Sequence, residues 1–450
     1  MTRRPSTGIP GLAAPSGPRD RAKGPVRATP SGSTGGRPSL RDPYGILPAG
    51  GGPAAILSAV GLVVAAALTL SLFTGQLPIP SVIGGGDGGN GTADGPARTP
   101  APSNVVIVDP RANVPGSIVF VKSGNVWVQS GATVHQVTNT GRDSMPSWSP
   151  DGQWIYFIET RTERGLFPSQ GKPLYYDLTY PLLTRVNPDG SDRKTILSGK
   201  LETNNGRYQW FSWIREPVLS PDGTTIALVS DAPDPTRSDV VLQLYDLATG
   251  QMNRATVTES PPLGHQDPAW RPVGKAQLLY VKNGRDGSRG APAIWRYDPK
   301  AGKGSALTGP GYMEPAWSPD GAYVAATKTS SLGTDVVILD ASNGTELLRV
   351  TDDDRSWSPV WSPVGDSIAY FHLESGIVDL RLATLGGSAP SWSVSKTIDL
   401  TTYSGLDGGS RPGWFVPADQ LPATPPPATS PPSSSGDAPS AGEAGGSSSP

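Results

Sequence analysis

The chain has 450 residues, a formal net charge of −2 and no cysteine. The absence of cysteine excludes disulfides, thiolate metal sites and a thiol nucleophile, and the mildly acidic balance argues against a nucleic-acid partner, whose binding rests on phosphate neutralisation by Lys and Arg. Only 36% of the residues are hydrophobic while 56 are Gly and 49 are Pro, so we expect part of the chain to bury no core and to stay disordered.

The first 74 residues indicate a basic arm followed by a membrane anchor. Residues 1–52 are rich in Gly, Pro and Ser and strongly basic, which predicts a disordered arm. Ala54–Phe73 is uncharged and, as a helix, about 30 Å long, which matches the hydrocarbon core of a bilayer. We interpret 53–74 as a transmembrane helix, and a cleaved signal peptide is the alternative. Basic residues precede it and no charge follows until Asp87, which predicts a single-pass protein of the cell membrane with a cytoplasmic N-terminus and an extracytoplasmic remainder.

Two further stretches have the composition of unfolded chain. Residues 75–104 are rich in Gly and Pro and are predicted to be a flexible stalk. Residues 419–450 form a Pro/Ser/Gly tail that is also predicted to be disordered. The folded part should therefore lie within 105–418.

Within 105–418 one seven-residue phrase recurs five times. It reads PSWSPDG at 146, PVLSPDG at 217, PAWRPVG at 268, PAWSPDG at 315 and PVWSPVG at 359. The copies begin 71, 51, 47 and 44 residues apart, and recurrence at such spacings is typical of repeat architectures. Ser-Pro-Asp-Gly suits a tight turn, in which Pro fixes φ and Gly takes a positive φ. Val273 and Val364 replace the Asp in two copies while the Gly remains, so the glycine is the geometric requirement.

Each repeat contains the elements of two hairpins. A short run of strand formers follows each turn, and a second turn such as NPDGSD or DPKAGK comes later in the repeat. Four strands per repeat describe a propeller blade. Residues 118–137 supply three more strands and 411–417 supply one, and joining them completes a sixth blade without an open edge. We therefore predict an all-β, six-bladed β-propeller with four-stranded blades, the last closed by N- and C-terminal strands.

The five phrases resemble the WD-like repeat of the TolB-type β-propeller family, Pro-x-Trp-Ser-Pro-Asp-Gly followed by an apolar strand. The resemblance covers about 300 residues and departs at Leu219, where the other copies have Trp. It implies a six-bladed propeller outside the cytoplasmic membrane that binds proteins or peptides across one face. TolB proper carries an α/β domain before its propeller, and here an anchor helix takes that place, so we expect a variant and not TolB itself.

Two long connections in the first repeat, 160–180 and 198–216, are expected to open on the same face. They are rich in aromatic and Arg residues, which are enriched at interaction hot spots. We predict a raised aromatic rim there that binds a partner; the alternative is that these side chains only pack on one another. The rim residues are Phe167, Tyr175, Tyr176, Tyr208, Trp210, Phe211 and Trp213.

Charged residues also precede the inner strand of several repeats. We expect them to reach the central funnel, where a partial ring of carboxylates can hold a cation or a basic peptide. The alternative is local hydrogen bonding at the strand entrance. We expect no dedicated metal site and no cofactor. The funnel residues are Asp143, Glu216, His265, Asp267, Glu314 and Arg355.

The favoured function is binding and scaffolding of a protein, peptide or envelope polymer by the loop-rich face. The alternative is an extracytoplasmic hydrolase or lyase, which would need a convergent cluster in the funnel such as His265, Asp267 and Glu314. No catalytic motif such as a nucleophile elbow is present, so no catalytic residue is assigned. A sensor that signals to the cytoplasmic arm is a third possibility, although one helix and an unstructured arm offer no bistable element.

Overall fold

The computed structural model describes residues 99–112, 114–169, 172–203, 205–236, 238–255, 264–282 and 292–421. The predicted arm 1–52, the predicted helix 53–74 and nearly all of the predicted tail 419–450 lie outside these residues. Over the ranges just given, no helix is long and apolar enough to cross a membrane.

The described ranges contain 26 β-strands and one short 3-10 helix, η1 (Ala418–Gln420). The first nine strands are β1 (Val114–Lys122), β2 (Asn125–Gly131), β3 (Thr133–Gln136), β4 (Asp143–Trp148), β5 (Ile155–Ser169), β6 (Lys172–Val186), β7 (Lys194–Ser198), β8 (Lys200–Thr203) and β9 (Tyr208–Phe211). The next eight are β10 (Arg215–Leu219), β11 (Thr225–Ser230), β12 (Val241–Asp246), β13 (Met252–Arg254), β14 (His265–Trp270), β15 (Leu278–Lys282), β16 (Ala293–Asp298) and β17 (Lys303–Ala306). The last nine are β18 (Tyr312–Trp317), β19 (Tyr323–Thr329), β20 (Thr334–Asp340), β21 (Glu346–Arg349), β22 (Ser356–Trp361), β23 (Ser367–Glu374), β24 (Ile377–Ser388), β25 (Ser391–Asp399) and β26 (Gly413–Phe415).

The strands pair into six four-stranded antiparallel sheets, the blades of a propeller. Blade one is β4-β5-β6-β7, blade two β10-β11-β12-β13, blade three β14-β15-β16-β17, blade four β18-β19-β20-β21, blade five β22-β23-β24-β25 and blade six β26-β1-β2-β3, each from strand a to strand d. The a strands contact one another in turn around the axis. We call the end of the blades that carries the b–c turns and d–a connections the upper face, and the end that carries the a–b and c–d turns the lower face.

The sixth blade confirms the predicted closure. Strand β26 pairs with β1, so that Trp414 lies opposite Ile118 and Gly413 opposite Val119. The Trp414 indole is buried, and its Nε1 donates to the carbonyl of Pro115 over 2.8 Å. The two ends of the propeller are thereby joined by main-chain pairing and by a packed aromatic side chain.

The Ser-Pro-Asp-Gly turns have the predicted geometry. In blade one the Ser149 hydroxyl donates to Asp151 over 2.5 Å and accepts from the Trp154 amide over 2.9 Å. Gly152 has φ +70°, and the glycines of the two Val-containing copies, Gly274 and Gly365, are also left-handed. The glycine is therefore required by the turn in every copy, whereas the aspartate adds hydrogen bonds.

Two of these glycines separate backbone strain from packing. Gly152 and Gly223 share φ +70°, but a Cβ at Gly152 would lie 2.2 Å from the Phe415 ring while one at Gly223 meets nothing within 4 Å. We expect Gly223→Ala to cost about 1 kcal/mol of unfolding free energy from the left-handed backbone alone. Gly152→Ala should cost at least about 1 kcal/mol more, because the Phe415 ring must move. Urea denaturation of both variants measures the difference, and equal losses would contradict it.

The repeated Trp fills the space between neighbouring blades. Trp317 of blade four packs on Leu279 and Val281 of blade three, and Trp361 of blade five packs on Ile338 of blade four. In blade two the smaller Leu219 takes this position against blade one. The first interface therefore lacks the indole that the other repeats provide.

The segment 99–112 lies along the d–a connection between blades five and six. Its Ala101 amide donates to the Tyr403 carbonyl over 2.7 Å, and Val108 forms an isolated bridge with Thr401. Lys122, which is 1% exposed, donates to the carbonyls of Ala101 over 3.0 Å and of Val105 and Ser404 over 2.5 Å each. The last residues of the predicted stalk are thus attached to the upper face of the propeller.

Candidate functional site

The most prominent feature of the upper face is a long hairpin in blade one. Strands β5 and β6 each have 15 residues and stay paired as far as Ser169 opposite Lys172. The d–a connection that follows forms a second, two-stranded sheet of β8 and β9, which lies against this hairpin. We call these two hairpins the arm, which is distinct from the predicted N-terminal arm 1–52.

The arm corrects one expectation: 160–169, 172–180 and more than half of 198–216 are β-structure and not loops. From Tyr175 to Tyr180 exposed residues alternate with half-buried or buried ones, which is the period of a strand, whereas 160–167 alternate less regularly. Gly165, Pro168 and Pro173 conceal this signal, because such residues usually mark loops. The backbone of the arm is therefore fixed by main-chain pairing.

Most of the predicted rim residues meet in the arm. Phe167 lies edge-on to Tyr176, with their ring centroids 6.1 Å apart. The centroid of the Phe167 ring is 6.4 Å from that of Trp210. Phe211 and Trp213 make a second edge-on pair at 5.1 Å. Under them Leu178, Tyr180 and Leu182 form a small buried cluster, against which Tyr176 and Phe211 also pack. The structure brings five of the seven into these two groups.

The predicted rim residues differ in exposure. The Tyr175 side chain is 62% exposed, Trp213 46% and Phe167 38%, and the neighbouring Leu174 is 55% exposed. Tyr176, Tyr208, Trp210 and Phe211 are half-buried. The arm thus combines the two alternatives from the sequence, since half-buried aromatics brace it while others face solvent.

Polar contacts hold the two hairpins of the arm together. The Tyr176 hydroxyl donates to the Gln209 carbonyl over 2.6 Å, and the Gln209 side chain accepts from the Leu166 amide over 3.0 Å. Lys200 pairs with Glu163 over 2.6 Å, and this pair lowers the pKa of Glu163 and raises that of Lys200. A surface braced in this way presents its aromatic side chains at little entropic cost.

A second feature is a ring of side chains around the axis. In each repeat it is the residue before the proline of the phrase, and in five blades it has φ between +50° and +54°, at a bulge of the inner strand. This left-handed backbone re-aims the side chain toward the next blade. The ring residues are Met145, Glu216, Asp267, Glu314, Ser358 and Arg411.

The ring is a chain of side-chain to main-chain hydrogen bonds. Glu216 accepts from the Asp267 amide over 2.5 Å, and Asp267 accepts from the Glu314 amide over 3.1 Å. Glu314 accepts from the Ser358 amide over 2.8 Å and from the Ser358 hydroxyl over 2.7 Å. The Arg411 guanidinium lies 3.9 Å from Asp267. Three predicted funnel residues are therefore brought together, and each bonds to the neighbouring blade.

Burial dominates the electrostatics of this ring. Asp267 is 7% exposed, and loss of solvation followed by the charge of Glu216 raises its pKa to about 8, against the opposing effect of Arg411. Burial and the charge of Glu216 therefore favour the protonated form of the Asp267 carboxyl.

The other predicted funnel residues lie elsewhere. Asp143 is buried within blade one, where it accepts from Arg193 over 2.9 Å. His265 is buried and its Nδ1 accepts from the Leu242 amide over 3.0 Å. Arg355 is exposed at the upper rim, beside Thr334. The His265 imidazole thus contacts Leu242 of blade two, whereas Asp267 and Glu314 bond to residues of the ring.

No group of three or more His, Asp or Glu side chains among the described residues has the arrangement of a metal site. The ring members that sequence reasoning missed are Met145, Ser358 and Arg411. Their common signal was available, because each precedes the proline of a repeated phrase.

Comparison with known proteins agrees with the architecture. No protein-family model matches the chain. TolB from Acinetobacter baumannii is 20% identical, with a TM-score of 0.47 over 66% of each chain, and a protein provisionally assigned as TolB from Agrobacterium tumefaciens is 19% identical, with a TM-score of 0.42 over 66% of this chain and 93% of that one. The chain is an all-β six-bladed propeller, and its likeness to these solved structures lies in that fold.

The remaining matches add little to this assignment. An uncharacterized protein of Agrobacterium fabrum is 28% identical over 159 residues, which are 34% of this chain and 45% of that protein. The chain thus spans less than half of that relative. An oligogalacturonate lyase in complex with manganese is 14% identical, with a TM-score of 0.40 over 63% of this chain and 76% of that one. Such likenesses do not extend beyond the fold, which the strand order already establishes.

Proposed function

We propose that this protein is a membrane-anchored, extracytoplasmic recognition module, whose arm binds a protein, a peptide or an envelope polymer and holds it as a scaffold. One observation carries the proposal: Phe167, Leu174 and Tyr175 are exposed at the outer part of a braced arm. Binding hot spots at protein interfaces are enriched in aromatic side chains, and a rigid element holds such side chains in place. The uncharged apolar segment Ala54–Phe73 supports the anchor, and 99–112, which follows it in the chain, is attached to the upper face of the propeller.

The absence of cysteine allows a direct test in the full chain. We expect Tyr175→Cys, labelled with a benzophenone maleimide, to cross-link a partner in envelope preparations. Lys300→Cys, exposed in a c–d turn on the lower face, should give no such adduct. Gel mobility and mass spectrometry of the adducts provide the readout.

A matched pair of variants then tests which residues bind. Phe167→Ser with Leu174→Ser should reduce the Tyr175→Cys adduct at least about fivefold, because each removes apolar contact area. Leu332→Ser, which removes an 83% exposed side chain from the upper face outside the arm, should leave the yield unchanged. The proposal would be contradicted if Tyr175→Cys and Lys300→Cys gave equal amounts of cross-linked adduct. It would also be contradicted if the adduct yield of Tyr175→Cys were unchanged by Phe167→Ser with Leu174→Ser.

A second proposal is an extracytoplasmic hydrolase or lyase with its site in the funnel. It is supported by the raised pKa of Asp267 beside Glu216, Glu314 and Arg411, because such perturbed groups cluster at functional sites. A polymer-cleaving activity of the full chain that Asp267→Asn leaves intact would exclude this role for the ring.

A further inference from the structure

A groove of about 720 Å³ lies between blades one and two on the lower face, at the opposite end of the blades from the arm. Its walls are the Ser-Pro-Asp-Gly turns of both blades, the aromatic rings of Trp154, Tyr156 and Tyr245, and Leu219. Tyr156 and Tyr245 are buried. The groove is therefore a built cleft between two sheets.

The groove lies where the repeat departs from its own pattern. Leu219 occupies the position at which the other blades have Trp. In those interfaces the space is occupied: Trp361 lies 5.8 Å from Trp392, and Trp148 lies 5.5 Å from Phe415. Leu219 is smaller than the Trp of the other copies, and the groove beside it is bordered by aromatic side chains.

The groove also contains two adjacent cations. Arg185 and Lys194 lie directly opposite each other on β6 and β7, an arrangement that is destabilising for like charges. The Arg185 guanidinium stacks on the Trp154 ring at 3.8 Å, and within the described ranges its buried Nε has no hydrogen-bond partner. Neither cation has an ion pair among the described residues, so the pair is arranged to receive an anion.

Blade three provides an internal comparison. Arg296 stands at the position equivalent to Arg185, and its Nη1 donates to the Ser342 carbonyl of blade four over 2.9 Å. Here the next blade also carries the usual Trp317. The Nε of each arginine has no hydrogen-bond partner among the described residues, so the two differ in their other contacts. Arg296 joins blades three and four through its Nη1, whereas Arg185 stacks on Trp154 and lines the groove.

The two turn aspartates, which also line the groove, are engaged within their own turns. Asp151 accepts from Ser149 and from the Gln153 amide, and Asp222 accepts from Ser220 and from the Thr224 amide. These bonds to Ser220 and Thr224 lower the pKa of Asp222. Both carboxylates are therefore engaged within the turns, and among the described residues neither pairs with Arg185 or Lys194.

We propose that the groove between blades one and two binds a small flat aromatic carboxylate, with its ring beside Leu219 and its carboxylate paired with Arg185. The stacked guanidinium offers a planar, pre-oriented fork for such a group. This site is separate from the arm and extends the function beyond recognition by the upper face.

Isothermal titration calorimetry of the purified full chain tests the proposal, with indole-3-acetate as the probe. We expect saturable one-to-one binding that is weakened at least about tenfold by Arg185→Met, since a charge-assisted pair is lost. Arg296→Met is the matched control and should bind like the wild type. Indole and tryptamine should bind more weakly than indole-3-acetate, because they lack the carboxylate.

Leu219→Trp tests the position of the ring. The larger side chain should fill the groove and abolish binding of indole-3-acetate, while the variant keeps the thermal unfolding transition of the wild type. If Leu219→Trp does not fold, Leu219→Phe replaces it in the same test. The proposal would be overturned if the wild type showed no saturable binding, or if tryptamine bound more tightly than indole-3-acetate. It would also be overturned if Arg185→Met or a folded Leu219 variant bound as tightly as the wild type, or if Arg296→Met lost as much affinity as Arg185→Met.

Discussion

Lys122→Met should lower the free energy of unfolding by on the order of 3 kcal/mol, because it removes the donor of three carbonyls, of which that of Ser404 is buried and those of Ala101 and Val105 are partly buried. The ammonium group of Lys122 bonds to Ala101, Val105 and Ser404, and thereby joins the incoming segment 99–112 to the last connection of the propeller. Burial lowers the pKa of Lys122, while Asp379 and Asp407 oppose this effect. Methionine has a similar shape and removes only the charge and the donors.

The control for this change is the equivalent lysine of blade four. Lys328 stands at the same place on strand b, but it is partly exposed and pairs with Glu346 over 2.7 Å. Lys328→Met should cost no more than about 1 kcal/mol, as is usual for exposed pairs. Urea denaturation of the full chain, followed by tryptophan fluorescence, measures both.

A second readout separates a local effect from a global one. Hydrogen exchange at the amides of Ile107 and Asp109, which bond to Ser404 and Leu400, should accelerate in Lys122→Met more than exchange in the strands of blades two and three. Equal losses of stability in the two lysine variants would show that Lys122 does not attach the segment.

The fold could be predicted because its specification is local and repeated. Three Ser-Pro-Asp-Gly turns each fix one hairpin through a hydroxyl and a left-handed glycine, and the other two copies of the phrase keep the left-handed glycine. The five turns together leave little freedom for the rest of the domain. The closing strand was also predictable, because Trp414 repeats the phrase at the expected distance. The fold can be predicted from such a sequence because the local turns and the closure of the ring of blades indicate the same structure.

The sites were less predictable because they depend on contacts between repeats. The alternation in 160–180 was obscured by prolines, and the pairing of β8 with β9 could not be seen before the arm was assembled. The groove lies beside one substitution, Leu219, but its meaning required knowing which side chains line it. Sequence reasoning noted Leu219 only as a weak copy of the phrase.

The stability of the propeller should fall as pH rises, and Asp267→Asn should remove most of this dependence. The ordinary pKa of 3.8 is raised to about 8 in the folded chain by burial and by Glu216. Between these two values the folded state holds a proton that the unfolded chain has released, so the free energy of unfolding declines with pH and levels off above about 8. The slope is at most about 1.4 kcal/mol per pH unit for one site.

Urea denaturation of both proteins from pH 5 to pH 9 tests this expectation. Taking the difference between them isolates Asp267 from Asp379, whose pKa burial also raises. Asparagine keeps an oxygen for the Glu314 amide, so the ring can remain bonded in the variant. Identical slopes would mean that Asp267 is ionised in the folded state and that Arg411, 3.9 Å away, outweighs burial. A flattened slope would instead show that a proton offsets the repulsion among the three ring carboxylates, and a cation that entered the funnel would then have to displace that proton to bind.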